Sequence, residues 1–420
     1  MIEISKSKTW QTARLGELCS ITTGDKDVNE GVPKGRYPFF TCAEEIFSFD
    51  SYSFDGDAIL IAGNGNFSVK KYSGKFEAYQ RTYVLQDFKI EYPFIFYYIF
   101  HKLRDITRDN RGTTVRYIRI GNLQDYDVCF PSIAEQKRIV CLIDELLSDL
   151  DSAVDNLKKS GEQLRIYRHS VLNQITEGKD FVQLGDLIDQ PKYGTARKCQ
   201  KDVSGKAVLR IPNIGSQHID LSDLKYAHFT DNEASTYKLV EGDLLMIRSN
   251  GSVSLVGKTA IITKKDTHTL YAGYLIRLRP KPDLNSYYLQ YILSSPQLRS
   301  QIESKAKSTS GVHNINSGEI KSLRIPFCPL KDQLKIVEDI ESRFSFCDSL
   351  ELTINESIKK AESLRQSILK QAFEGTLTEK WCKEHKDLIS GKNSAEALLK
   401  KIKAEKEALQ GKSEGKTNHD

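Results

Sequence analysis

Apolar residues recur at every seventh position in two stretches of this chain. Ile143, Leu150, Leu157, Leu164 and Val171 form one series, widened by Leu146, Leu147, Val154 and Ile175. Ile340, Cys347, Ile354, Ala361 and Ile368 form the other, with Phe344, Leu350, Ile358 and Leu364 beside them. Heptads sustained over such a length predict two helices that meet along a coiled-coil seam. Pro131, Pro326 and Pro329 bracket the starts, and Gly178 and Gly375 suit the stops. Each helix should run about 40–45 residues, or roughly 60–65 Å at 1.5 Å per residue. Gly161 costs the first helix about 1 kcal/mol relative to alanine and marks a soft point. The pattern elsewhere is different in kind. Residues 10–130 and 181–327 are rich in Tyr, Phe, Ile and Gly and contain short apolar runs such as Ala58-Ile-Leu-Ile61 and Tyr274-Leu-Ile-Arg-Leu278. They read as mixed α and β globules.

The two helical segments are copies of one another. Gln136, Ile139 and Val140 fall on Gln333, Ile336 and Val337 at an offset of 197. The same offset, with no gap, carries Asp151, Arg168, Ser170, Leu172, Gln174, Glu177 and Gly178 onto Asp348, Arg365, Ser367, Leu369, Gln371, Glu374 and Gly375. The globules correspond more loosely. Leu15-Gly-Glu-Leu18 resembles Leu184-Gly-Asp-Leu187 at offset 169, and Gly56-Asp57 resembles Gly242-Asp243 at 186. Val115, Ile118 and Gly121 match Val312, Ile315 and Gly318 at 197. The growing offset means early insertions in the second globule. The chain is therefore a tandem duplication of globule plus helix. A polar tail follows, with an amphipathic helix expected from Ser394 through Leu398, Leu399 and Ile402 to Leu409.

Composition narrows the class. At roughly 100–200 residues per domain, 420 residues predict two to four domains. No run approaches the ~18 apolar residues of a membrane span, and Met1 to Trp10 has no apolar core of a signal peptide. The eight cysteines include no CxxC pair and no histidine at metal-ligand spacing, so free thiols in a reducing cytoplasm are expected and a metal site is not. The net charge of +5 is too mild to identify a partner, but it is unevenly spread. Residues 10–130 hold 15 Lys+Arg against 16 Asp+Glu, whereas residues 181–327 hold 20 against 13. The helical segments 131–178 and 328–375 are each net −2.

Taken in order, the motifs resemble the specificity (S, HsdS-type) subunits of type I restriction–modification enzymes over nearly the whole chain. The resemblance is carried by the two helix openings, Phe130-Pro-Ser-Ile-Ala-Glu-Gln-Lys-Arg-Ile-Val140 and Ile325-Pro-Phe-Cys-Pro-Leu-Lys-Asp-Gln-Leu-Lys-Ile-Val337. The second has Asp332 where the family's pattern has glutamate. Gln371-Ala-Phe-Glu-Gly-Thr-Leu-Thr378 followed by Trp381 is similar to the family's close of the second helix. The implied fold is α+β: two globular mixed α/β target-recognition domains separated by two long antiparallel coiled-coil helices. The expected boundaries are a first recognition domain over 1–132, a spacer helix over 133–178, a second recognition domain over 179–328, a spacer helix over 329–378 and the tail over 379–420. The resemblance further implies a non-catalytic cytoplasmic subunit that reads a bipartite double-stranded DNA target, with the helices setting the gap. Two methyltransferase subunits and restriction translocase–nuclease subunits would be its partners. They would use S-adenosylmethionine, ATP and Mg2+, while this chain would bind no cofactor itself.

Local clusters then suggest where DNA would lie, because base readout needs exposed amides and bidentate cations and backbone binding needs positive charge. In the first globule these are Asn64 and Asn66 in the Gly63-Asn-Gly-Asn66 loop, Lys70, and Arg108, Arg111 and Arg116. In the second they are Tyr193, Arg197 and Lys198; Arg248, Asn250 and Ser252; and Lys307 and His313. The seam itself is expected at Ile143, Leu150, Leu157, Leu164 and Val171 against Ile340, Ile354, Ala361 and Ile368. Two rival readings are weaker. Gly257-Lys-Thr259 looks like a phosphate loop, but Gly251 and Gly257 are separated by five residues rather than four. A self-contained DNA adenine methyltransferase would need an Asn/Asp-Pro-Pro-aromatic loop, and the sequence contains no Pro-Pro pair. A coiled-coil DNA-binding scaffold outside restriction is the third possibility, distinguished by failure to bind a methyltransferase.

Overall fold

In the computed structural model, which describes residues 9–201, 204–215, 217–309 and 311–414, the two heptad segments are uninterrupted helices. They run Ile133–Gln174 and Leu330–Phe373, 42 and 44 residues long. Beyond each, a glycine takes the left-handed conformation that other residues resist, Gly178 at φ +66° and Gly375 at φ +78°. The chain divides into two compact units, one ending at Asn156 and resuming at Ser357, the other spanning Leu157–Glu356. Each unit thus holds one globule and half of each helix.

In the first unit, Ile139, Ile143 and Leu147 share a core with Ile368, Leu369, Ala372 and Phe373, and Arg365 is ion-paired with Asp151. Positions rising along one helix meet positions falling along the other, so the pairing is antiparallel. In the second unit Val171, Leu172 and Ile175 pack with Val337, Ile340 and Phe344. Arg168 reaches Asp348 at 2.6 Å and stands over the Phe344 ring at 5.1 Å. Asp151 and Asp348, like Arg168 and Arg365, are 197 apart, so both units make the same ion pair. Being partly exposed, each pair contributes under about 1 kcal/mol, and the apolar seam dominates the packing. Every expected seam position is buried or half-buried. Leu364, expected beside the seam, instead lies exposed: the helical period of 3.6 carries it off the contact face.

The globules share one plan. The first has a four-stranded antiparallel sheet in the order Ser20–Thr23, Thr82–Gln86, Asp57–Ala62, Val69–Ser73. A smaller sheet pairs Phe47–Phe49 with Tyr37–Phe40, which runs parallel to Glu77–Ala78. The second repeats this with Lys192–Tyr193, Leu275–Leu278, Leu244–Ile247, Thr259–Ile261 and with Lys225–Ala227, Lys206–Leu209, Leu270–Tyr271. The central runs Ala58–Ala62 and Leu244–Ile247 are buried along their whole length, which their continuous apolar sequence requires. Each globule is closed at its base by its own first and last strands, Gln11–Arg14 against Asp127–Phe130 and Asp180–Gln183 against Arg324–Phe327.

A buried glutamine joins each globule to its helix. Gln136 accepts the Glu91 amide at 3.0 Å and donates to the Pro131 carbonyl at 2.8 Å. Gln333 accepts the Asn285 amide at 2.8 Å and donates to the carbonyls of Asp283 and Cys328, both at 2.8 Å. Glu91 and Asn285 are the N-caps of the globular helices Tyr92–Ile106 and Ser286–Ser294, whose apolar faces cover the spacer helices. One side chain therefore satisfies an orphan amide at a helix start and pins that helix to the next.

Trp10 and Thr378 meet beside the neighbouring glutamate. Glu135 is buried, and its carboxylate accepts from Trp10 Nε1 at 3.3 Å and from the Thr378 hydroxyl at 2.9 Å. The tail helix Ala395–Glu414, capped by Ser394, returns to the first globule with Ile402 in its core and Lys406 at 3.0 Å from Glu17. Burial outweighs these hydrogen bonds and pushes the Glu135 carboxyl above its ordinary range. The folded chain then holds a proton that the unfolded chain releases, so stability falls as pH rises from the ordinary carboxylate range into the raised one. Glu135→Gln keeps the acceptor and removes that charge. It is expected to abolish this part of the fall, checked by urea midpoints at pH 5 and pH 8.

Candidate nucleic-acid interface

In the first globule, the Gly63–Asn66 loop leaves the end of the central strand Asp57–Ala62 and is tied to the loop 110–117. Asn64 bridges Tyr117, and the Gly65 amide donates to the Arg116 carbonyl at 2.8 Å. Arg111 and Tyr117 exchange both backbone hydrogen bonds, at 2.9 and 2.8 Å, closing the second loop. Gly112 at φ +94° makes that tight turn possible, and a side chain there would strike the Val115 carbonyl. The arrangement brings Asn64, Asn66, Arg111 and Arg116 onto one paired-loop surface, with both arginines exposed. Two other candidates are already engaged. The Lys70 ammonium donates to the carbonyls of Ala43 and Glu44 at 2.6 and 3.0 Å, and burial lowers its pKa. Arg108 pairs with Asp105 at 2.8 Å.

The second globule builds the same pair of loops as a small sheet. Ser249–Asn250 pairs with Val312–Asn314, which pairs with Lys307–Thr309, so Asn250 faces His313 and Lys307 faces Asn314 through the backbone. Asn250 Oδ1 accepts the Ser252 amide at 2.9 Å, which leaves its amide nitrogen for another partner. Arg248 precedes this loop. Its Nε donates to the Gly273 carbonyl at 2.8 Å, and its guanidinium lies 4.8 Å over the Tyr193 ring. Tyr193 is fixed in turn, accepting the Ser317 amide at 3.0 Å. Stacking and one hydrogen bond thus orient Arg248 while sparing its terminal nitrogens, as a bidentate contact to guanine requires.

Beside Arg248 opens a cleft of about 630 Å³ lined by Arg197, Lys198, Arg210, Lys225, Arg248 and Tyr274, among others. Arg197 pairs with Glu233 at 2.6 Å and lies over Phe229 at 4.9 Å. Arg210 pairs with Asp223 at 2.8 Å, which holds that carboxyl below its usual range. Arg210, Lys225 and Tyr274 were not among the residues expected from sequence. Each sits alone in a strand or turn, and only the fold gathers them. The Gly257-Lys-Thr259 run leads into the strand Thr259–Ile261 rather than a helix, so it lacks the helix N-terminus of a phosphate loop. Among the described residues no His, Cys, Asp or Glu group could hold a metal, and no helix is long and apolar enough to cross a membrane.

Comparison with known proteins places this architecture. The family model of the type I restriction modification DNA specificity domain matches twice, over residues 7–164 and 176–360. The chain is 34% identical to the Escherichia coli type I restriction enzyme EcoDI specificity subunit, over 96% of each chain. It is 33% identical to the EcoKI specificity subunit of Escherichia coli K12, over 72% of this chain and 68% of that one. Two solved structures share the fold. One, from work on complex assembly and conformational transition of the type I R-M system, has a TM-score of 0.69 at 18% identity, covering 88% of this chain and 99% of its own. The HsdS subunit from Thermoanaerobacter tengcongensis has a TM-score of 0.52 at 18% identity, covering 88% and 98%.

Proposed function

Because the chain belongs to the family of type I restriction–modification specificity subunits, we propose that it reads a bipartite DNA sequence, one half with each globule, across a gap set by the paired helices. The observation that carries this reading is the doubled clamp. Two globules of one plan, with diverged loops, are each pinned by an equivalent buried glutamine to the start of an equivalent helix. Rigid attachment fixes half-site spacing, while loops at the end of a buried central strand are free to differ in sequence. The chain itself is non-catalytic. Methyltransferase subunits that use S-adenosylmethionine and restriction subunits that use ATP and Mg2+ supply the chemistry. The candidate readers are Asn64, Asn66, Arg111 and Arg116 in the first globule and Arg248, Asn250, Ser252 and His313 in the second.

Expression with its methyltransferase partner in a methylation-free host, followed by methylome sequencing, tests the proposal. The expected product is adenine methylation in a two-part gapped motif; an ungapped motif contradicts it. Arg248→Ala is expected to relax one base position of one half-site, with about 1–3 kcal/mol of discrimination lost there. Uniform weakening on all sequences would make Arg248 a phosphate contact instead.

A further inference from the structure

The two globules can be superposed residue by residue through their hydrogen bonds, and they differ sharply at the cleft. Phe40 O accepts the Tyr79 amide at 2.9 Å, and Leu209 O accepts the Ala272 amide at 2.9 Å. Lys26 bridges Tyr79 as Thr195 bridges Ala272. The strand registers Phe39↔Phe47 and Val208↔Lys225, and Ile61↔Tyr83 and Met246↔Ile276, align the rest, and the Gly63 amide donates to the Arg81 carbonyl as the Arg248 amide donates to that of Tyr274. On this frame Arg197, Lys198, Arg210, Lys225 and Arg248 occupy the places of Val28, Asn29, Thr41, Phe47 and Gly63. Five cations stand at places where the first globule has uncharged residues, against only Lys26 and Arg81 at the first globule's counterparts of Thr195 and Tyr274.

The fold does not need those cations, because the first globule builds the same sheets without them. Nor do local acids account for them. Arg197 and Arg210 have Glu233 and Asp223, but Lys198, Lys225 and Arg248 have no ion-pair partner among the described residues. Five positive charges converging on one open cleft suit a polyanion whose charges are spaced along a chain. Arg248, at the cleft's edge and adjoining the Ser249–Asn250 loop, links that seat to the loop surface.

We propose that this cleft seats the phosphodiester backbone at the second half-site, a phosphate anchor more strongly charged than its counterpart in the first globule. The proposal rests on the DNA-reading function above and adds an asymmetry to it: the two readers are alike in plan and unequal in their electrostatic hold.

The test uses the full chain assembled with its methyltransferase partner and a labelled target duplex, with affinity measured from 50 to 200 mM KCl. Lys198→Ala/Lys225→Ala should weaken binding about tenfold at low salt and reduce the slope of log K against log[salt] by about 1.8. The loss should be equal on target and scrambled duplexes, the methylated motif should keep its bases, and Lys198→Arg/Lys225→Arg should restore the slope. An unchanged slope, or altered bases in the second half-site, overturns the proposal. The two claims fail separately. A gapped motif with an unchanged slope removes the anchor alone, whereas a reduced slope without a gapped motif removes the bipartite reading and leaves the anchor standing.

Discussion

Inserting one heptad into both spacer helices, within Leu157–Leu164 and within Ile354–Ala361, is expected to lengthen the gap of the target while leaving both half-sites unchanged. The two insertion windows are equivalent at the 197 offset, so the antiparallel register is preserved on both sides. Seven residues add about 10.5 Å of helix, or roughly three base pairs at 3.4 Å per pair. A heptad also keeps Leu150, Leu157 and Leu164 on one face, whereas four added residues would rotate the seam away from its partner. Methylome sequencing reads the outcome directly. Unaltered half-sites with about three more base pairs between them fit a helical ruler. New bases in either half would mean that the helices take part in reading.

The second large effect concerns stability. Gln333→Ala removes the acceptor of the Asn285 amide and the donor to two carbonyls; Gln333 itself is fully buried and the three bonds are partly buried. Leaving such groups unpaired costs about 1–3 kcal/mol each when they cannot reach water, so a loss of about 2–4 kcal/mol is expected after relaxation. Gln136→Ala, with two such bonds rather than three, should cost somewhat less. Urea unfolding midpoints check both values, with Lys331→Ala as an exposed neighbour that should change nothing. An unaffected midpoint in Gln333→Ala would show that the glutamine does not bear the joint between globule and helix.

Much of the architecture was legible because duplication repeats a signal that is weak once. The heptads located the helices to within a few residues, and matched pairs such as Arg168 and Arg365 exposed the register. What those matches did in space was not legible. Gln136 and Gln333 stood out as a coincidence of sequence, but their partners Glu91 and Asn285 lie 45 and 48 residues away. Likewise Asp151 and Asp348 matched without revealing that each pairs with the arginine of the other copy. The cleft was hidden for a related reason. Arg210 ends the apolar run Ala207–Leu209 and Lys225 opens a three-residue strand, positions that carry no local sign of convergence. The surroundings of Lys70 were equally hidden. That residue stands beside a polar glycine loop, yet its ammonium donates to the carbonyls of Ala43 and Glu44, a contact between two sheets of the globule that is invisible in sequence.

The central claim is that two equivalent readers, each carried on its own clamp, specify the two halves of one target. Replacing residues 180–327 with a second copy of residues 11–130 tests it most directly, since both segments begin and end on paired strands that feed equivalent helices and glutamines. Methylome sequencing of that chain with its methyltransferase partner should give a gapped motif whose two halves are the same sequence in inverted order. A motif that kept two different halves, or lost its gap, would contradict the account.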